Sequence, residues 1–210
     1  GPPPTAEFVF PEVTANPFAI EVSKAVLGKD CYLTFYNGNT NCPGSEYQQV
    51  HLDNPHLWRG DPRVSPTYSL VINISPQDCT LENGAVEVWP GTHMINAPVD
   101  LNNVLQEVLD KRRRERPPIQ AETNKGDILI RDARLWHRGV PNNADEPRHM
   151  IAFVYIAGWH QRQRTIPFEK GCEKVLEGVD FDFNAAFTDE PIDYLLGPTK
   201  RAYKLGINRD

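Results

Sequence analysis

Two short stretches decide how this chain is interpreted: residues 49–53, Gln-Val-His-Leu-Asp, and residues 135–139, Leu-Trp-His-Arg-Gly. Residues 47–52 are predicted to form a strand, on which alternate side chains share a face, so that His51 and Asp53 point the same way. His137, on a neighbouring strand, would add a third ligand to a metal site. Two histidines and one carboxylate form the facial triad of non-haem Fe(II) oxygenases. The alternative is an ordinary set of hydrogen-bonded side chains, because the chain has six histidines and a His-x-Asp pair often arises by chance.

Composition limits the class of protein. The 210 residues are 40% hydrophobic and 10% aromatic, which predicts one folded domain over residues 1–210. The formal net charge of −6 argues against a nucleic-acid partner, and no apolar run approaches the length of a membrane span. The four cysteines contain no C-x-x-C pair and therefore predict no zinc motif. Because no signal-peptide pattern is present, we expect a cytoplasmic location, with a peroxisomal location as the alternative.

Short strands separated by turns dominate the predicted secondary structure. We expect helices at residues 17–27, capped by Asn16, and at residues 101–114, capped by Asp100. The predicted strands are residues 31–36, 47–52, 68–74, 85–89, 128–130 and 148–157. This pattern of many short strands and few helices predicts a mainly β sandwich or barrel. Residues 158–210 would form a loop and helix extension, with a short helix near residues 193–196.

Arg148 begins a predicted strand eleven positions after His137. A tight connection and a return strand would place both side chains inside the same barrel. A buried guanidinium requires an anionic partner, and arginine binds a carboxylate through two parallel hydrogen bonds. A dicarboxylic 2-oxo acid would chelate iron at one end and meet Arg148 at the other. The alternative, that Arg148 pairs with Glu146 on the surface, is equally compatible with the spacing.

The chain resembles the phytanoyl-CoA dioxygenase family of Fe(II)- and 2-oxoglutarate-dependent oxygenases. The matching motifs are His51-x-Asp53, residues 82–85 leading to residues 89–93, Lys125-Gly126-Asp127, His137-Arg138-Gly139, and Arg148. The resemblance implies a mainly β double-stranded β-helix, or jelly roll, with a few flanking helices and a core at about residues 30–157. It also implies that His51, Asp53 and His137 bind Fe(II), and that Arg148 and Asn73 contact 2-oxoglutarate, which reacts together with O2. Many relatives place a small side chain near 2-oxoglutarate two residues after the second histidine, but Gly139 offers no donor there.

The implied reaction is hydroxylation or another oxidation of a C–H bond in a small organic substrate, with conversion of 2-oxoglutarate to succinate. Related halogenases lack the carboxylate ligand, so Asp53 predicts oxidation rather than chlorination. Two alternatives share the fold: a cupin-like metal-binding jelly roll with other chemistry, and a non-catalytic binding module. The loops at residues 54–67 and 158–183 are expected to shape the pocket mouth, with these candidate lining residues: Trp58, Arg59, Arg63, Trp159, His160 and Arg162.

Overall fold

The computed structural model describes residues 1–192. The helices are α1 Pro11–Thr14, α2 Pro17–Leu27, α3 Gln106–Glu115 and α4 Cys172–Val175, with a 3-10 helix at Thr92–Met94. The strands are β1 Tyr32–Asn41, β2 Ser69–Ile74, β3 Glu87–Val88, β4 Val99–Asp100, β5 Asn103–Val104, β6 Ile119–Gln120, β7 Ile128–Asp132, β8 His137–Arg138, β9 Arg148–Ile156, β10 Ile166–Glu169 and β11 Ala185–Thr188. Among the described residues, no helix is both long enough and apolar enough to cross a bilayer.

The larger sheet has the strand order β1-β9-β2-β7, and every neighbouring pair is antiparallel. One face of this sheet is apolar. On that face Leu70, Ile72 and Ile74 of β2 pack with Phe153 of β9 and with Ile20 of α2 in the main hydrophobic core. Side chains alternate between the two faces along a strand, so the residues between these apolar positions point to the opposite face.

The opposite face of the larger sheet is polar. Asn39, Asn73, Arg131 and Arg148 come from its four different strands. The Arg148 Nη1 donates to Asn39 Oδ1 (2.9 Å), and the Arg131 Nε donates to Asn73 Oδ1 (3.4 Å). These contacts place the two arginines and two asparagines on one face, away from the main core.

The smaller sheet is built around His51. Strand β8 pairs with β3, and β3 pairs with β6. On its other side β8 is bridged to His51, which is also bridged to Asn103 of β5, and β5 pairs with β4. Arg131 of the larger sheet reaches Asp53 beside the smaller one, so the polar face of the larger sheet faces the smaller sheet. The fold is a double-stranded β-helix, and this prediction from the sequence is confirmed.

The segment before Asp53 is paired, although it is not the continuous strand predicted for residues 47–52. Only His51 forms bridges, while residues 47–50 and Leu52 have no strand assignment. The Gln48 N–H donates to Gly139 O (3.0 Å), and the Leu52 N–H donates to Asn102 O (3.0 Å). The segment therefore changes its hydrogen-bonding partner at His51.

The helix predicted for residues 101–114 starts later than expected. Val99–Asp100 and Asn103–Val104 form a hairpin, and α3 begins at Gln106 without a side-chain cap, so Asp100 is not an N-cap. Leu101, which the helical pattern would bury, is 77% exposed at the hairpin turn. Val104 instead pairs with the first histidine segment, its N–H donating to Val50 O (2.9 Å). Tertiary pairing thus overrides the apolar spacing at the start of this element.

The remaining elements agree with prediction in part. Helix α2 is confirmed, because the Asn16 side chain accepts from the N–H groups of Phe18 and Ala19 and the helix ends at Gly28. Strand β1 continues through residues 37–41, beyond the predicted end at residue 36, because β9 pairs with them. The extension contains α4 and the parallel pair β10–β11. The helix predicted near residues 193–196 lies outside the described residues.

Candidate metal centre

His51 and His137 lie directly opposite each other in the smaller sheet. The His51 N–H donates to His137 O (2.9 Å), and the His137 N–H donates to His51 O (3.0 Å). Residues that exchange both hydrogen bonds in an antiparallel pair project their side chains from the same face. The ring centroids of the two imidazoles are accordingly 4.4 Å apart. The backbone therefore brings these two predicted ligands together across more than eighty residues of sequence.

Both imidazoles are oriented by the carbonyl of the residue two positions earlier. The His51 Nδ1 lies 2.8 Å from Gln49 O, and the His137 Nδ1 lies 2.9 Å from Leu135 O. A ring that donates from Nδ1 carries its lone pair on Nε2. A hydrogen bond to the second ring nitrogen is the usual way in which proteins orient histidine metal ligands. Donation from Nδ1 to these carbonyls would leave the Nε2 atom of each ring to bind a metal.

Asp53 completes the predicted group. Its N–H and that of Asn54 both donate to Ala133 O (3.0 and 3.1 Å), which anchors the segment beside the turn before β8. One ligand atom each from His51, Asp53 and His137 lie within 4.8 Å of one another. The Asp53 Oδ2 is 3.5 Å from the His137 Nε2, and the Asp53 side chain remains 35% exposed. This donor set of two imidazoles and a carboxylate, open on one side, fits Fe(II).

Arg131, which the sequence analysis missed, also enters this group. Its Nη1 lies 2.7 Å from the Asp53 Oδ2. Burial alone would raise the pKa of Asp53, but the charge of Arg131 and its hydrogen bond oppose burial, and that pKa lies below its usual range. Burial and the Arg131 charge lower the pKa of His137 to about 3. The carboxylate is therefore ionised and the imidazole neutral at neutral pH, and these are the metal-binding forms.

Arg148 is buried among neutral partners. Its Nη1 donates to Asn39 Oδ1 (2.9 Å), its Nη2 donates to Gly84 O (3.0 Å), and its Nε is buried with no hydrogen-bond partner among the described residues. Burial lowers the pKa of this guanidinium. The surface pairing with Glu146 is excluded, because Arg148 is 5% exposed and no described acid forms an ion pair with it. Among the described residues Arg148 therefore has no anionic partner.

The other two predicted positions differ in their surroundings. Asn73 is buried on β2, and its Oδ1 accepts from Arg131, which joins it to the metal-binding group rather than to Arg148. At Gly139, a Cβ atom would lie 2.9 Å from the Gln48 Oε1. The same oxygen accepts from the Gly139 N–H (2.8 Å), so the Gln48 amide occupies the space that a side chain at position 139 would take. The sequence carried no spacing signal for Gln48.

A buried ion pair supports the turn before His137. The Arg134 Nε donates to Asp132 Oδ1 (2.8 Å) and the Arg134 Nη2 donates to Asp132 Oδ2 (2.6 Å). The same guanidinium bonds the carbonyl of Ser65 and the hydroxyl of Thr67 (2.9 Å). Ala133 lies between Asp132 and Arg134, and its carbonyl accepts from the N–H of Asp53. The turn therefore connects the loop at residues 54–67 with Asp53 on one side and with His137, which follows the turn, on the other.

The candidate mouth residues are spread over two regions. Trp58 and Trp159 are exposed, and His160 stacks on Tyr68 with centroids 4.8 Å apart. The three arginines are partnered: Arg59 with Asn102 (3.2 Å), Arg63 with Asp61 (2.6 Å) and Arg162 with Asp182 (2.7 Å). A cavity of about 420 Å³ lies beside the loop and is lined by residues that include Leu52, His56 and Arg59. None of the three metal-binding candidates lines it.

The chain is similar to a known protein family and to several curated relatives. A family model described as phytanoyl-CoA dioxygenase matches residues 9–150. Dioxygenase af480 of Aspergillus fumigatus is 25% identical over 166 residues, covering 77% of this chain and 49% of the relative. Dioxygenase lolE1 of Epichloe uncinata is 24% identical over 144 residues, covering 69% of this chain and 53% of the relative. The chain thus spans about half the length of these curated relatives.

A solved structure shares the fold. The crystal structure of EctD from S. alaskensis with 2-oxoglutarate and 5-hydroxyectoine superposes with a TM-score of 0.60 at 18% identity. The match covers 73% of this chain and 56% of EctD. At this level of identity the similarity supports the fold, and the chemistry has to be argued from the residues themselves.

Proposed function

Because the chain belongs to the phytanoyl-CoA dioxygenase family, we propose that it is an Fe(II)- and 2-oxoglutarate-dependent oxygenase acting on a C–H bond of a small organic molecule. The observation that carries this proposal is the convergence of His51, Asp53 and His137 within 4.8 Å. These three residues would hold the iron. When bound, iron and 2-oxoglutarate supply the oxidant, with O2 as co-substrate and succinate and CO2 as products.

In this proposal, backbone carbonyls orient the two imidazole rings, and Asp53 occupies a ligand position that chlorination would require. The carbonyls of Gln49 and Leu135 hold the two imidazole rings, so that their Nε2 lone pairs are available to a metal. Asp53 supplies the carboxylate ligand. A chloride ion would need that ligand position, so we propose oxidation rather than chlorination as the outcome.

Arg148 supports the choice of a dicarboxylate co-substrate. A guanidinium that is 5% exposed, and whose hydrogen bonds to described residues all go to neutral oxygens, is costly to keep charged unless an anion binds it. The distal carboxylate of 2-oxoglutarate is the anion we assign to Arg148. We place Asn73 at the metal end of the same co-substrate, where it accompanies Arg131.

We also propose that one domain spans residues 1–210, that its partner is a small-molecule substrate, and that it acts in the cytoplasm.

The test is succinate formation from 2-oxoglutarate by protein loaded anaerobically with Fe(II), after O2 is admitted and with no added substrate. Wild type should show slow uncoupled turnover that is lost in His137→Ala. Arg148→Gln should require a far higher 2-oxoglutarate concentration for half-maximal turnover. His149→Ala is the matched control, because His149 is an exposed histidine on β9 whose ring contacts Thr40 (3.0 Å) and not the candidate ligands.

Each outcome separates the alternatives. Iron binding without succinate formation would favour a jelly roll with other metal chemistry. Absence of both iron binding and turnover would favour a binding module and would refute the oxygenase proposal. Equal loss of turnover in His137→Ala and His149→Ala would remove the evidence for the specific ligand set.

A further inference from the structure

Arg131 makes a set of contacts that the ligand assignment leaves unexplained. Its side chain is 9% exposed, and its Nη1 is 2.7 Å from the Asp53 Oδ2. The same Nη1 lies 3.4 Å from the His137 Nδ1, and the Nε donates to Asn73 Oδ1 (3.4 Å). One buried cation therefore touches two candidate metal ligands and one candidate co-substrate contact.

The position of Arg131 on β7 accounts for this reach. Arg131 pairs with Val71, and its neighbours Ile130 and Asp132 pair with Ile72 and Leu70. Ile130 packs against the main core, so alternation turns Arg131 to the opposite face, towards the smaller sheet. The charge of Arg131 therefore lies on a paired strand and not on a surface loop.

We propose that Arg131 is a positioning residue that couples metal binding to co-substrate binding at the site. This inference rests on the proposed function. The guanidinium fixes the rotamer of Asp53 and neutralises its charge while no divalent cation is bound. A divalent cation entering beside this pair meets a like charge at contact range, and the two cations repel each other. Metal binding alone is therefore weakened by Arg131.

The effect of Arg131 on the binding of an anionic co-substrate is opposite to its effect on metal binding. Once a divalent cation is bound, Arg131 adds one further positive charge to a site that has to bind an anionic co-substrate. In a partly dehydrated site this charge attracts the anion more strongly than it would in water. Arg131 is therefore expected to weaken metal binding alone and strengthen binding of the dicarboxylate to the metal-loaded protein. By linkage, each ligand then strengthens the binding of the other.

The experiment is a pair of anaerobic calorimetric titrations: Co(II) into metal-free protein, then N-oxalylglycine into Co(II)-saturated protein. In Arg131→Gln, we expect Co(II) to bind more tightly and N-oxalylglycine more weakly, each by about tenfold, a typical coupling factor. Arg131→Lys keeps the charge and should leave both constants within about threefold of wild type, which tests charge separately from shape. Arg63→Gln is the control, because Arg63 pairs with Asp61 on the surface, and both constants should be unchanged.

The opposite signs distinguish coupling from a merely structural role. If Arg131→Gln weakened both ligands together, or changed neither, the inference would be overturned while the proposed function still stood. If Arg131→Lys behaved like Arg131→Gln, the charge would not be the cause, and the inference would again fail. If wild type bound no Co(II) at all, the proposed function would fail and this inference with it.

Discussion

Replacing Arg134 with methionine provides a direct test of what holds the turn before His137. Methionine keeps most of the length of the side chain and removes the guanidinium. The ion pair with Asp132 is almost fully buried, with side-chain exposures of 2% for Arg134 and 9% for Asp132. After the substitution, the Asp132 carboxylate would keep only the Thr67 hydroxyl and the Arg134 N–H as donors.

The expected loss follows from that stranded carboxylate. Removing one partner of a buried ion pair typically costs about 3–5 kcal/mol in the free energy of unfolding. Domains are stable by about 5–15 kcal/mol, so this loss is a large fraction of the total. With a loss of about 4 kcal/mol and a denaturant slope of about 2 kcal/mol/M, the urea midpoint should fall by about 2 M.

The chain contains its own control for this experiment. Arg63 bonds the carboxylate two residues earlier, Asp61, in the same way: its N–H and Nε donate to Oδ1 (2.8 and 2.9 Å), and its Nη2 donates to Oδ2 (2.6 Å). That pair lies in solvent, with the Arg63 side chain 73% exposed. Arg63→Met should therefore leave the urea midpoint almost unchanged, because exposed ion pairs contribute little.

Equilibrium urea unfolding, followed by tryptophan fluorescence and circular dichroism in parallel, measures both variants. Coincident curves and an unchanged slope would show that the comparison concerns stability alone. Equal midpoint shifts in Arg134→Met and Arg63→Met would refute the reasoning, since the Arg134 pair is buried and bonded to Ser65 and Thr67, whereas the Arg63 pair is exposed. A shift below about 0.5 M in Arg134→Met would refute it as well, because the stranded carboxylate would then cost less than about 1 kcal/mol.

Three further predictions concern single positions. Asp132→Asn tests pH dependence: burial alone would raise the pKa of Asp132, but the bonds from Arg134 and Thr67 hold it below its usual range. Its stabilising contribution is present above about pH 4 and lost as the pH falls through the lower folded value, so the stability gap to wild type, measured by urea unfolding, should narrow below pH 4. A gap that widened in acid would contradict this. Leu101→Gly should raise the free energy of unfolding by about 1 kcal/mol, because Leu101 is exposed at φ 57°, a conformation that favours glycine; a lower melting temperature would count against it. Gly84→Ala should destabilise by more than about 1–2 kcal/mol, because Gly84 has φ 81° and a Cβ would lie 2.9 Å from Val140 O, and unchanged unfolding would show that the turn can shift.

The metal-binding group was predictable because its signals are local. The strand predicted for this segment put His51 and Asp53 on one face from their spacing alone. In the structure only His51 of this segment forms β-bridges, and the two side chains still come together. The partnership with His137 needed only the expectation that a jelly roll pairs distant strands. The structure brings these three together, and the assignment of iron to them remains a proposal.

Arg131 was not predictable in the same way. A charged residue at the end of an apolar strand normally points to solvent, and its direction depends on which face of the sheet meets the core. That face is decided by the packing of Ile128 and Ile130 against the main core, which involves other elements of the chain. The sequence shows the alternation, but not which of the two faces is the interior of the barrel.

The start of α3 was predicted wrongly for a comparable reason. Leu101, Val104 and Leu105 fit a helical repeat, but the same residues also fit a hairpin followed by a helix beginning at Gln106. The choice is made by Val50, whose carbonyl accepts from the Val104 N–H. Contacts between segments some fifty residues apart cannot be inferred from periodicity within either segment.

The direct opposition of His51 and His137 has a consequence for how this protein can vary. Because the two residues exchange backbone hydrogen bonds, the separation of their Cα atoms is set by the interstrand spacing, about 5.5 Å, and not by the loops that connect them. Insertions or deletions within the intervening residues can therefore reshape the pocket walls while leaving the bite of the two imidazoles unaltered. A slip of one residue in the pairing would instead turn one ring to the opposite face. Changes in loop length can thus leave this pair in place, whereas a change of register would separate the two imidazoles.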